Sequence, residues 1–222
     1  MTALSVVIPT LNAAAGLART LEALREWPDA QIIVVDGGSS DGSVALAHVH
    51  GVEVIAAARG RGIQLAAGAR AARGAWLLFL HADTVPAPGW RAALEAFMRT
   101  EDGPAGYFRF ALDDAAPAAR RLERRVAWRC RAFGLPYGDQ GLLIARRRYE
   151  AVGGFRPLPL MEDVDLVRRL GRRALRPIDH PAVTSAIRYR RAGYRRRSLR
   201  NLLCLTLYFL GLPPRALVRL YR

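Results

Sequence analysis

The 222 residues include 34 basic ones, all Arg, against 19 acids, a net charge of +15, and 51% of the chain is hydrophobic. That apolar content excludes a disordered chain and suffices for one domain, or one domain with a short appendage. Two cysteines without metal-ligand spacing, Cys130 and Cys204, exclude a disulfide framework and a zinc module and fit a reducing compartment.

The charge is uneven. Residues 1–110 hold nine Arg against ten acids, and residues 111–222 hold 25 against nine. The first part reads as an ordinary enzyme domain; the second carries a positive field that attracts phosphates, anionic lipid or nucleic acid. The N-terminus shows no secretory signal. No stretch reaches the roughly 20 apolar residues of a spanning helix.

The first 110 residues alternate between strand and helix patterns. Leu4–Ile8 is a strand closed by Pro9, and Ala13–Trp27 a helix with Leu17, Leu21 and Leu24 on one face. Strand Gln31–Val35 ends at Asp36, and Asp41 opens a short helix to Val49. Val52–Ala56, helix Ile63–Ala72, strand Ala75–Leu80, helix Pro88–Met98 and strand Phe108–Leu112 follow. Apolar strands without polar alternation, spaced by helices, predict a parallel α/β sheet covered on both faces, with ligands at the strands' carboxyl ends. Further on, Ala115–Phe133 reads as an amphipathic helix, Gly141–Ala145 as a strand and Glu162–Arg173 as a helix. The expected division is a domain over 1–187 and a basic, apolar helical tail over 188–222.

Two acids stop apolar strands and should share one rim of the sheet. Asp36 leads into Gly37-Gly38-Ser39-Ser40-Asp41-Gly42, whose small residues let backbone N–H groups approach a ligand; a plain turn with a capping Asp41 reads the same way. Asp83 is a carboxylate for a hard cation that bridges substrate phosphates, or else a helix cap. His81 beside it reads as a metal ligand, a supporting group or a structural histidine.

Three segments resemble family 2 glycosyltransferases of the GT-A fold: Val6-Val7-Ile8-Pro9-Thr10-Leu11-Asn12, Val34-Val35-Asp36 through Gly42, and Leu78-Phe79-Leu80-His81-Ala82-Asp83. The resemblance extends through Gly153-Gly154-Phe155 and Glu162-Asp163-Val164-Asp165-Leu166. It is nearest to a bacterial subfamily described as selenium-associated transferase 2. It implies a nucleotide-sugar donor, a hydroxyl acceptor, and Mg²⁺ or Mn²⁺ as cofactor. It also implies that Pro9, Thr10 and Asp36 hold the nucleoside and that Asp83 is the second acid of the D-x-D metal motif. His81 stands where that motif has its first acid.

Arg59-Gly60-Arg61-Gly62 offers guanidinium forks for a diphosphate, Arg61 foremost, or is a solvated loop. In Glu162-Asp163-Val164-Asp165 the periodicity puts Asp163 on a face with Leu166, Val167 and Leu170. Asp165 falls with Arg168, Arg169 and Arg172, so Asp163 should face a pocket and Asp165 an outward salt-bridged cluster. A carboxylate at a helix start suits a general base, the role that the resemblance also implies for Asp163. Asp139 and Gln140 in Gly138–Gly141 read as an acceptor-site wall or a turn, and Glu162 is placed on the acceptor side. His180 reads as structural, with an approach to the metal as the alternative.

Seven Arg between Arg188 and Arg200 precede Leu202–Leu212. That order suits an interfacial helix on an anionic membrane, beside a lipid-linked acceptor, or a core-packing or dimerising helix; the family resemblance also implies that an Arg here closes over the donor diphosphate, as a basic C-terminal motif does in some relatives. The expected location is cytoplasmic, peripheral on the inner membrane's cytoplasmic face where the tail docks. Two other functions compete. A nucleotidyltransferase shares the layout but usually carries a Gly-rich, Lys-bearing loop near its N-terminus, and this chain has no Lys. A nucleic-acid-binding module fits the charge, but no accompanying motif is present and strand-end acids repel a phosphate backbone.

Overall fold

Pro9 does not end the first strand. In the computed structural model, which describes residues 3–99 and 103–221, β1 runs Leu4–Thr10. Val7 O accepts from Leu80, on the β4 side, and Thr10 O accepts from Gly37, on the β2 side. Pro9 alternates with Thr10 and so turns its nitrogen to the side where β4 (Trp76–Phe79) has already stopped; its missing N–H costs no ladder bond.

Strands β2 (Gln31–Asp36) and β3 (Glu53–Ala56) complete a parallel set ordered β3-β2-β1-β4, with Thr10 beside Asp36 at its carboxyl rim. The sheet has eight strands, continuing from β4 through β7 (Leu142–Ala145), β6 (Ala105–Leu112) and β8 (Leu175–Thr184) to β5 (Thr84–Pro86). It is not all-parallel as expected: β6 and β8 pair parallel and run in the sense of the first four, but β7 runs antiparallel between β4 and β6, and β5 antiparallel to β8. β8 was not legible as a strand because Pro177, Asp179, His180 and Pro181 interrupt it. The β6–β8 register shifts between Phe108 and Arg109, an irregularity that accommodates that interruption.

Helices cover both faces. On one, α1 (Ala14–Leu24), α2 (Ser43–Val49) and α4 (Trp90–Met98) pack Leu17, Leu21, Leu24, Trp90 and Leu94 against Val6, Ile8, Val34 and Leu78. On the other, α3 (Arg61–Ala71), α5 (Pro117–Phe133), α6 (Arg146–Ala151) and α7 (Glu162–Leu170) meet Val7, Ile33, Val35, Leu77 and Phe79. Alternate residues of each strand serve opposite faces, which is why these strands show no polar alternation. α7 is shorter than expected: it stops at Gly171, whose φ of 78° leads into a 3₁₀ turn over Arg172–Ala174.

The remaining helices, α8 (Ile187–Ala192), α9 (Tyr194–Phe209) and α10 (Pro214–Tyr221), fold back onto the domain. Cys204, Leu205 and Leu217 form a third cluster with Leu160, Met161 and Val164 at the start of α7.

Gly68 lets α3 sit close to the sheet: a β-carbon there would lie 2.3 Å from Val7 Cγ1 and 2.8 Å from Val35 Cγ2. Gly68→Ala is therefore expected to destabilise the fold by about 1–3 kcal/mol. Equilibrium urea unfolding measures this, and an unchanged midpoint would contradict the close approach.

Candidate active site

The carboxyl ends of β1, β2 and β4 open into a cleft of about 660 Å³, lined in part by Pro9, Thr10, Asn12, Arg59, Arg61, His81, Asp83 and Arg188. Its rim is built from two interlocked loops. Asn12, at φ 50°, accepts from Ser40 N–H (2.8 Å) and donates its own N–H to Ser39 Oγ (2.9 Å). Ser43 Oγ accepts from Ala13 N–H at 2.9 Å, and Asp41 Oδ2 from Ala14 N–H at 3.0 Å. Asp41 thus serves the N-terminus of α1, across the rim, while its other oxygen accepts from Ser43 N–H within its own turn at 3.0 Å. The Ser43 and Ala14 bonds hold its carboxyl below the usual Asp range. Gln64 of α3, which carried no sequence signal, donates to Thr10 O (2.8 Å) and Val35 O (2.7 Å) and so pins the ends of β1 and β2.

A smaller cavity of about 90 Å³ adjoins this cleft and shares Arg61, His81, Asp83 and Arg188 with it. Asp163 lines it. Gly138 N–H donates to Asp163 Oδ2 and Val164 N–H to Oδ1, both at 2.7 Å. Met161, left-handed at φ 64°, turns the chain into α7 just before these acids. Gly138 must lack a side chain, because a β-carbon there would sit 2.5 Å from His81 Nε2. Enclosure pushes the His81 imidazole down to about 4. Arg61 acts the same way, and Asp83 and Asp163 oppose it. His81 is therefore a neutral ring between two carboxylates at neutral pH.

Asp83 packs on Gly16, whose β-carbon would lie 3.0 Å from Asp83 Cβ, and its Oδ2 is 3.7 Å from Arg188 Nη2. Glu162 is fully buried. Its Oε1 lies 2.9 Å from Arg61 Nε, but off the N–H axis, so the contact is an ion pair without an aligned hydrogen bond. Burial pushes the Glu162 carboxyl up to about 7 against the opposing pull of Arg61. The arrangement pairs guanidinium groups for a phosphate with carboxylates for a cation and for a hydroxyl proton. That is the equipment of group transfer from a diphosphate.

The glycosyl transferase family 2 model matches residues 5–156. The chain belongs to that family. No curated protein matches it. Among solved structures it is similar to glucosyl-3-phosphoglycerate synthase from Mycobacterium tuberculosis with Mn²⁺, UDP and glucosyl-3-phosphoglycerate. Identity is 20% over 90% of this chain and 78% of that one, at a TM-score of 0.63. The Pyrobaculum calidifontis mannosyltransferase PcManGT, with GDP-Man and Mn²⁺, is 20% identical over 89% of this chain and 59% of that one, at 0.63. S. aureus TarS 1–349 is 12% identical over 99% and 69%, at 0.64. These likenesses show the fold.

In this family 2 glycosyltransferase the expected site residues do not all meet. Pro9, Thr10, Arg61 and Asp83 line the larger cleft, and Asp83, Asp139 and Asp163 the smaller one. Asp36 sits on the same rim, but its carboxylate is occupied by Gly38 N–H and Ser39 N–H at 2.9 Å and by the Ser39 hydroxyl. Gln140 turns into the core, where Nε2 donates to Phe108 O at 3.1 Å and Oε1 accepts from Cys130 Sγ at 3.2 Å. Glu162, expected on the acceptor side, lines neither of these two cavities and is sealed against Arg61. Asp165 is not outward. It is buried, pairing with Arg169 at 2.6 Å and Arg156 at 3.2 Å, and Arg169 in turn donates to the carbonyls of Val152 and Gly154. Helical periodicity found its partner Arg169 and misjudged the side, because the 152–156 loop covers it. His180 hydrogen-bonds Ala87 O at 2.8 Å, a structural role. The residues that sequence reasoning missed are Gln64, Tyr137, Arg197 and Asn201; the last two carried only the signal of a basic helix.

Asp139 Oδ1 is shut off from solvent with no hydrogen-bond partner, and burial pushes its carboxyl up to about 6. A raised carboxyl binds a proton in the folded chain that the unfolded chain releases. Its contribution is full below the usual Asp range and is lost as pH rises through about 6. Asp139→Asn is expected to melt above the parent near pH 7.5 and to lose that advantage near pH 4. Melting curves across this range check the sign.

Proposed function

We propose that this chain transfers a glycosyl group from a nucleoside-diphosphate sugar to an acceptor hydroxyl, with inversion at the anomeric carbon. The observation that supports this reading is the placement of Asp163. Its carboxylate is held by the Gly138 amide in the small cavity, beside the residues that cavity shares with the larger cleft. The larger cleft takes the donor. Pro9 and Thr10 present backbone to the nucleoside, and Asp36 shapes that end through its own turn. Arg61 and Arg188 meet the diphosphate.

The donor set fits a divalent cation of the Mg²⁺ or Mn²⁺ type. Asp83 would supply a carboxylate and His81 a neutral imidazole; the described residues contain no group of three or more ligating side chains, and a bound donor would bring diphosphate oxygens to the same cation. Such a cation, when bound, supplies charge neutralisation at the leaving diphosphate. In the reaction the acceptor oxygen forms its bond to the anomeric carbon as the bond to the diphosphate oxygen breaks. Asp163 takes the hydroxyl proton, and the departing electron pair goes to the diphosphate facing Arg61 and Arg188. From the sequence resemblance we further propose a place in the selenium-associated transferase 2 subfamily.

We also infer peripheral membrane contact through residues 188–212, with a cytoplasmic location and a hydroxyl acceptor that can be lipid-linked. No helix among the described residues is long and apolar enough to cross a membrane. On α9, Leu199 and Leu203 are exposed on the face opposite Cys204 and Leu205, next to the exposed Arg195 and Arg196, and Leu202, Phe209 and the following Leu210 are exposed beside it.

Asp163→Asn is expected to keep nucleotide-sugar binding and lose at least about 100-fold in turnover. Asp83→Ala is expected to lose the Mn²⁺-dependent part of thermal stabilisation by the donor. Release of nucleoside diphosphate is the readout; pyrophosphate in its place would indicate a nucleotidyltransferase. For the tail, the parent is expected to float with phosphatidylglycerol vesicles and the Leu199→Asp/Leu203→Asp variant to remain in solution. A vesicle-independent dimer abolished by the same variant would assign that face to self-association.

A further inference from the structure

The small cavity has a floor and a roof of opposite charge. Asp139 and Asp163 form the floor; Arg197 and Asn201, on successive turns of α9, belong to the roof. Arg197 lies over the Tyr189 ring at 5.3 Å, and no carboxylate among the described residues pairs with it. Its Nε is shut off from solvent without a hydrogen-bond partner, as are Asn201 Oδ1 and Asp139 Oδ1. Three residues that line one cavity thus each carry an unsatisfied polar atom, and each unmade buried hydrogen bond costs about 1–3 kcal/mol. Arg61 and Arg188 border the donor cleft, whereas Arg197 lines only the smaller cavity.

From this geometry we infer that the acceptor is a small hydroxyl compound, or a headgroup, bearing a phosphate or carboxylate, with Arg197 binding the anionic group and Asn201 Oδ1 accepting from a hydroxyl. This rests on the glycosyl-transfer reading above and names its acceptor class. At the roof the anion pairs with the Arg197 guanidinium, while a neighbouring hydroxyl of the compound donates to Asn201 Oδ1 and leaves the reacting hydroxyl free. The reacting hydroxyl then points to the floor, where Asp139 orients it and Asp163 takes its proton. A neutral polyol would offer the partly exposed Arg197 guanidinium no counter-charge, so an anionic compound is the better fit. The cavity's volume of about 90 Å³ limits the bound part to a few heavy atoms.

The test is calorimetric titration with glycerol 3-phosphate and with glycerol, on protein saturated with UDP or GDP and Mn²⁺ so that the donor cleft is filled. Glycerol 3-phosphate is expected to bind and glycerol not to bind. Arg197→Ala is expected to weaken glycerol 3-phosphate at least about tenfold, or about 1.4 kcal/mol, with nucleotide affinity unchanged. Asn201→Asp gives a second readout, should Arg197→Ala disturb the helix. It places a carboxylate four residues after Arg197, and is expected to raise the melting temperature while abolishing phosphate binding. Equal binding of the two probes, or glycerol 3-phosphate binding unaffected by either variant, overturns the inference. Failure of the parent to bind any nucleotide overturns the donor reading instead. Competition by phosphatidylglycerol vesicles identifies a lipid headgroup as the source, and binding of the soluble probe alone identifies a free metabolite; both agree with the inference.

Discussion

The bond from the Gly138 amide to the Asp163 carboxylate is the contact on which the rest of the site depends. It joins a loop between α5 and β7 to the first turn of a helix 25 residues later, and it leaves no room for a side chain at Gly138 because His81 fills that space. Asp163, His81 and, beyond it, Asp83 are thereby held in sequence from the small cavity to the large one. A charged acceptor oxygen at a helix start is well served by backbone N–H donors, so the carboxylate stays oriented without a neighbouring cation to neutralise it.

Around this contact the protein keeps its charges in pairs that differ in exposure. Arg61 and Glu162 tie the starts of α3 and α7 together from below, with Glu162 sealed and Arg61 partly open to both cavities. Arg188 and Asp83 meet from across the opening in a looser, more exposed contact. A buried pair of this kind contributes little net stability and fixes geometry. An exposed pair at 3.7 Å is readily exchanged for a ligand's charge. One face of α9 packs on the start of α7 and lines the small cavity, and Leu199 and Leu203 are exposed on its opposite face.

The parallel half of the sheet was legible because its strands are uninterrupted apolar runs and its helices carry leucines at helical spacing. The acids that stop those runs pointed to the rim, and Thr10 beside Asp36 and the placement of Asp83 follow from that. In the other half β6 and β7 were legible as strands, but β8, the strand order and the direction of β7 were not. β8 is broken by two prolines, and β7 inserts between β4 and β6 from a distant part of the chain, a pairing that no local pattern encodes. Asp165 shows the same limit at one residue. Periodicity separates it from Asp163, but whether its side is covered depends on the 152–156 loop.

What the residues determined by themselves is local: apolar runs, small-residue turns, carboxylates at strand and helix ends, and an excess of arginine in the second half. Short-range sterics and the hydrophobic period suffice for these. Which carboxylates are free and which are consumed was decided only by tertiary structure. Asp36 is taken by its own turn, Asp41 by α1, Glu162 by Arg61 and Asp165 by Arg169, while Asp139 keeps an unpartnered oxygen and Asp163 is presented to the cavity. The physical reason is that a carboxylate's chemistry depends on the hydrogen bonds and burial supplied by partners remote in sequence.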